Sequence, residues 1–152
     1  MKDRIKVILA DDNVELLNNL KIILEESNFI VVCTAKDGVE ALDLICNNNT
    51  DFVVIDNQMP KLNGIDVIKK VIENKSSTSQ FILLTGELSD EIIQECILLN
   101  VKCFVKTSSY NDIIDYMNYS FENDTVEDIQ KDDIQNVKKK TFFKSILTKF
   151  KK

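Results

Sequence analysis

From the start of the chain to about residue 121, short apolar runs alternate with longer stretches of helical period. The runs fall at residues 5–10, 30–35, 52–55, 81–84 and 102–105. They are rich in Ile, Val and Phe and are followed by polar or turn-forming residues, the pattern of buried strands. Between the first two, Leu16, Leu17, Leu20, Ile23 and Leu24 recur at i, i+1, i+4, i+7 and i+8; after the last, Tyr110, Ile113, Ile114, Met117 and Phe121 recur at i, i+3, i+4, i+7 and i+11. Both sets place their apolar side chains on one face of a helix. Asp37 followed by Glu40 has the form of a capping box, and Asn13 or Asp12 is placed to cap the first helix. Five strand–helix units predict an α/β architecture, a doubly wound five-stranded parallel sheet with right-handed crossovers.

A sheet of this kind can take the strand order 2-1-3-4-5, in which ligands bind beyond the carboxyl ends of strands 1 and 3. The segments expected there are Asp11-Asp12-Asn13, Asp56-Asn57-Gln58-Met59-Pro60, Thr85-Gly86-Glu87 and Lys106-Thr107. Three aspartates, a threonine and a lysine therefore converge on one crevice. Taken singly they are unremarkable: Asp11 and Asp12 end a strand and cap a helix, Thr85 makes a turn, and Asp56 and Lys106 are surface charges. Their conjunction at the carboxyl ends is what points to chemistry.

Composition narrows that chemistry. The chain has 152 residues, one domain's worth, and no histidine, which excludes Ser-His, Cys-His and zinc-histidine sites. The four cysteines, Cys33, Cys46, Cys96 and Cys103, form no C-x-x-C pair and read as small buried thiols. Residues 1–125 hold 11 Lys and Arg against 21 Asp and Glu, a net charge of −10, so no nucleic acid is expected on this body. The apolar run at the N-terminus stops at two aspartates, unlike a signal peptide, and no run is long enough to span a membrane; a cytoplasmic location is expected.

Carboxylates crowded together are tolerated when a cation joins them, and a hard oxygen-ligated ion such as Mg²⁺ takes one or two carboxylates plus phosphate oxygens. An aspartate beside it can attack phosphorus, with Lys106 and the Thr85 hydroxyl stabilising the transferred group.

The stretches VILADDN, VVIDNQMPKLNGIDV, ILLTGE and CFVK, within residues 4–121, resemble the receiver domains of bacterial response regulators. The resemblance implies a flavodoxin-like fold over residues 1–121 with Asp56 as phosphoacceptor and Mg²⁺ bound by Asp11, Asp12, Asp56 and the backbone carbonyl of Gln58. It also implies contact between Lys106 and the phosphoryl group, a switch pair of Thr85 and Phe104, and a turn at Met59, Pro60 and Gly64. The implied partners are a histidine kinase or histidine phosphotransfer protein, which donates the phosphoryl group, and a downstream effector. One departure stands out: the family usually follows the lysine with a cis-proline, whereas this chain has Thr107.

An aspartate phosphatase of D-x-D type is disfavoured because Gln58 occupies the position of the second acid. Catalysis is then limited to the chain's own phosphorylation and dephosphorylation. An unphosphorylated docking module is disfavoured by the intact acid, threonine and lysine set. A stand-alone signalling receiver is the first expectation, and a transcriptional regulator that lacks or borrows its DNA-binding output is the alternative. Beyond residue 121 we expect an acidic linker at 122–137 and a basic amphipathic tail at 138–152. There Phe142, Phe143, Ile146, Leu147 and Phe150 share one helical face among seven lysines, suited to a membrane surface or a partner's groove.

Overall fold

The computed structural model of the protein describes residues 3–124. The described residues lie almost wholly in one compact unit, Met1–Phe121. The amphipathic tail and all but the first residues of the acidic linker lie outside the described residues.

The described chain alternates strand and helix throughout. Its elements are β1 (Ile5–Ala10), α1 (Val14–Glu26), β2 (Phe29–Ala35), α2 (Gly38–Asn47), β3 (Phe52–Asp56), α3 (Gly64–Asn74), β4 (Gln80–Thr85), α4 (Asp90–Leu99), β5 (Lys102–Val105) and α5, which begins at Tyr110 and ends at Asp124. All strand pairs are parallel, in the order β2-β1-β3-β4-β5 expected from the sequence.

Several strand boundaries move outward from their expected positions, β4 at both ends. β2 starts at Phe29, β3 includes Asp56 and β4 includes Thr85. The cause is the ladder: Asp56 pairs with Leu84 and Thr85 with Val105, so neighbouring strands carry these polar residues into the sheet.

Period-two alternation sorts the sheet's side chains onto two faces. Val7, Leu9, Val54, Ile82 and Leu84 form one core with Leu17, Leu20 and Leu24 of α1 and Ile113, Ile114 and Met117 of α5. The alternate residues Ile8, Val53, Ile55 and Leu83 are fully buried on the opposite side, where α2, α3 and α4 pack. Burial on both faces explains why the central strands read as unbroken apolar runs.

Side-chain caps start the helices, since the first N–H groups of a helix lack partners of their own. Asn13, not Asp12, caps α1, accepting from Leu16 N at 3.1 Å. Asp37 caps α2, accepting from Glu40 N, while the Glu40 carboxylate accepts from Lys36 N, one residue before the cap. Asn63 and Ser89 cap α3 and α4 in the same way.

Gly64 is required for space. The resemblance places it in a turn, yet no described glycine has positive φ. Instead, a Cβ on Gly64 would collide with the backbone carbonyl of Asp56, and Gly64 N donates to Asn57 O at 3.0 Å. The left-handed residue of this loop is Lys61, with φ 70°. Gly64→Ala must therefore push α3 away from the end of β3. We expect a loss on the order of 1–3 kcal/mol, read as a lower urea midpoint with unchanged slope.

Candidate functional site

The crevice is built by the same alternation that builds the core. Asp11 follows Leu9 by two residues, Asp56 follows Val54 by two, and Lys106 follows Phe104 by two. Leu9 and Val54 belong to the core shared with α1 and α5, and Phe104 packs against it. Asp11, Asp56 and Lys106 thus rise from the sheet on one side, just past the apolar layer.

Their mutual geometry is close. Lys106 Nζ lies 2.9 Å from Asp56 Oδ2 and 3.1 Å from Asp11 Oδ2. Asp56 Oδ1 accepts from Gln58 N at 3.2 Å, and Asp11 Oδ1 accepts from Asn13 N at 2.8 Å. Asp11 is 2% exposed and Asp56 1%. Asp12 is exposed, yet carboxylate oxygens of Asp11, Asp12 and Asp56 all lie within 4.8 Å of one another.

Two electrostatic features stand out. Burial holds the Asp56 carboxyl above the usual carboxylate range; the Lys106 hydrogen bond opposes that shift and the charge of Asp11 adds to it. Burial works to lower the Lys106 ammonium, but its bonds with Asp56 and Asp11 outweigh burial and hold it above its ordinary value. Asp11 Oδ2, fully enclosed, receives no aligned hydrogen bond, although Lys106 stands 3.1 Å away. A buried carboxylate oxygen without a donor, beside two further acids, suits a hard cation. The cluster can hold a metal ion.

The raised Asp56 carboxyl has a thermodynamic consequence. The folded state keeps its proton to higher pH than the unfolded chain does. This group's contribution to stability is therefore fully present below its unfolded pKa and is lost as pH rises through the folded value. Asp56→Asn removes the ionisation while leaving Asp11 to pair with Lys106. Without metal at neutral pH, the variant is expected to melt about 2–4 °C higher for each kcal/mol relieved. The difference should shrink on acidification below the carboxylate range, and a scan of melting temperature against pH checks it.

Thr85 closes the other side of the crevice. It is buried, and its hydroxyl donates to the Glu87 carbonyl at 2.9 Å, which ties it to the β4–α4 loop. The Lys106–Thr107 peptide is trans, as are all described peptides. Lys106 is placed by the ladder, its N–H donating to Thr85 O at 2.8 Å, and the chain turns at once through Ser108 N to Val105 O.

Phe104 does not stand where a partner of Thr85 must. Thr85 is paired with Val105 and Leu84 with Phe104, so Phe104 shares a face with Leu84, in the core toward α5, and Thr85 points to the opposite face. Phe104 packs edge-on against Tyr116 at 6.0 Å, with Lys102 Nζ 5.3 Å from its ring centre. It is a half-buried aromatic of the β5–α5 packing. The residues of β5 on Thr85's face are Cys103 and Val105.

Sequence reasoning missed the braces of the β3–α3 loop. Asn57 Oδ1 accepts from Ile65 N at 3.2 Å, and Lys61 pairs with Asp37 at 3.2 Å. Asn57 was legible as an amide beside a turn, but its partner lies eight residues on.

The family model described as the response regulator receiver domain matches residues 7–118. Among curated proteins, the transcriptional regulatory protein CpxR of Escherichia coli (strain K12) is 35% identical over 88 residues, 58% of this chain and 37% of CpxR. The chain thus spans little more than a third of that relative's length. Among solved structures, the receiver domain of the Francisella response regulator 1452 superposes with a TM-score of 0.72 at 31% identity, over 78% of this chain and 98% of that one. CheY from the Borrelia burgdorferi CheX–CheY complex, at TM-score 0.71 and 24% identity over 77% of this chain and 89% of the other, shares the fold. With the strand order, the acid pocket and a family match running from β1 into α5, the chain belongs to the response regulator receiver domains of two-component systems.

Proposed function

We propose that the chain receives a phosphoryl group on Asp56 and uses it to switch the β4–α4 region. The observation that carries this reading is a buried carboxylate held 2.9 Å from Lys106, beside two further acids and an enclosed Asp11 oxygen with no aligned donor. Asp11, Asp12 and Asp56, with the Gln58 carbonyl, would hold Mg²⁺; when bound, it neutralises the acids and stabilises negative charge on the transferred group.

The chain's own residues do the rest. An Asp56 carboxylate oxygen attacks phosphorus as the P–N bond to a phosphohistidine breaks, leaving an acyl phosphate. Lys106, already between Asp56 and Asp11, follows the new charge. The Thr85 hydroxyl exchanges the Glu87 carbonyl for a phosphoryl oxygen and draws the loop with it, a population shift between two packings. Catalysis is confined to the chain's own phosphorylation and dephosphorylation. The donor is a histidine kinase or phosphotransfer protein, the recipient of the signal is a downstream protein, and the setting is the cytoplasm. CpxR's description as a transcriptional regulatory protein supports a second reading, in which a DNA-binding output acts with this receiver.

The test is an amide NMR comparison with and without beryllofluoride and Mg²⁺. Wild type should shift at Asp56 and through the β4–α4 loop. Thr85→Ala should keep the shifts near Asp56 and lose most of those in the loop; equal loop shifts in both proteins would remove Thr85 from the switch.

A further inference from the structure

We infer that Gly38, at the start of α2, is a positioning residue for the phosphoryl site: it seats the β3–α3 loop so that Gln58 is held beside Asp56. The inference rests on the phosphoryl reading above for the use that Gln58 is put to, and on the fold alone for the seating. Gly38 N donates to Pro60 O at 3.2 Å, and a Cβ on Gly38 would collide with the carbonyl of Leu62. The missing side chain is therefore what lets the loop lie against α2. Beside this contact, Lys61 Nζ reaches the Asp37 carboxylate at 3.2 Å. Between the two, Leu62 N closes back on Pro60 O at 2.8 Å around Lys61, whose φ is 70°. So tight a turn is strained for a residue with a side chain, and it persists only where its surroundings hold it.

The clamp reaches Gln58 through a short piece of chain. Asn57 is fixed at the root of the loop, its N–H donating to Leu84 O at 2.9 Å and its carbonyl accepting from Gly64 N at 3.0 Å. Pro60 is fixed at the tip by Gly38. Only Gln58 and Met59 lie between, and Met59, preceding a proline, is steered to extended conformations. With both ends pinned, Gln58 is left little freedom: its N–H donates to Asp56 Oδ1 at 3.2 Å, and the direction of its carbonyl is set with it. Gly64 thus fits the loop's root to β3, and Gly38 fits its far side to α2. Freed from α2, the strained turn at Lys61 relaxes and Gln58 loses its place.

The experiment follows Gln58 in the full chain by two readouts: exchange of its amide with water in the metal-free protein, and Mg²⁺ affinity from the rise of melting temperature with concentration. Gly38→Ala should speed that exchange and weaken Mg²⁺ about tenfold, as expected when an added methyl must displace a packed segment. Because this variant can lose the fold, a second pair of variants keeps Gly38. The Lys61 side chain is 64% exposed, and Lys61→Glu sets two carboxylates against each other. Adding Asp37→Asn keeps a good helix cap and lets the new amide donate to the new carboxylate. The double variant carries one negative charge fewer, which by itself would weaken Mg²⁺, yet the clamp predicts that it binds about threefold tighter than Lys61→Glu. A double variant no tighter than Lys61→Glu, or a Gly38→Ala that keeps wild-type Gln58 exchange, would overturn the inference. The metal-free amide judges the seating and the wild-type response to Mg²⁺ judges the metal reading, so the two can fail separately.

Discussion

Asp56→Asn is expected to abolish phosphoryl uptake from a small donor such as phosphoramidate in the presence of Mg²⁺. An amide is a far weaker nucleophile than a carboxylate, so uptake should fall by at least about a hundredfold. Wild-type protein should gain one phosphoryl mass and the variant none in intact-mass spectra. The variant should meanwhile be folded and, without metal, melt higher than wild type, because it lacks the buried charge. That combination separates a lost acceptor from a lost fold. Labelling of Asp56→Asn at the wild-type rate would move the acceptor elsewhere.

Mg²⁺ should raise the melting temperature of wild type and leave that of Asp11→Ala nearly unchanged. An ion that binds only the folded state stabilises it by about 2.7 kcal/mol at a hundred times its dissociation constant, or about 5–10 °C for a domain of this size. Asp11→Ala removes the enclosed oxygen that lacks an aligned donor. Asp12 is exposed, and Asp12→Ala should weaken the response while disturbing the fold least. Because each substitution also relieves repulsion, either variant can melt above wild type without metal. An undiminished Mg²⁺ response in both variants would place the ion outside this crevice.

The existence and order of the elements were legible because both faces of the central strands are buried, which leaves unbroken runs such as Phe52–Asp56 ending in a single polar residue. The acid cluster was legible for a related reason, since strand ends in a parallel sheet share one crevice. What local pattern could not supply is register. Whether Phe104 or Cys103 shares a face with Thr85 depends on Thr85 pairing with Val105, a contact made only once β5 docks beside β4. The family resemblance assigns Phe104 to the switch, yet it is half-buried against Tyr116 of α5. Cys46 was expected to be buried with the other thiols, but Ala41 and Ile45 set the inner face of α2 and leave Cys46 outside. The requirement at Gly64 likewise comes from a neighbour, the Asp56 carbonyl, and not from the glycine's own dihedrals.

The central claim is that Asp56 carries the phosphoryl group as an acyl phosphate, and reductive trapping tests it most directly. Borohydride converts an acyl phosphate of aspartate to homoserine and leaves free carboxylates untouched. After phosphorylation, reduction and peptide sequencing by mass spectrometry, the account predicts homoserine at position 56 and aspartate at positions 11 and 12. Homoserine at position 11 or 12, or a phosphoryl group that resists borohydride on a hydroxyl side chain, would contradict it.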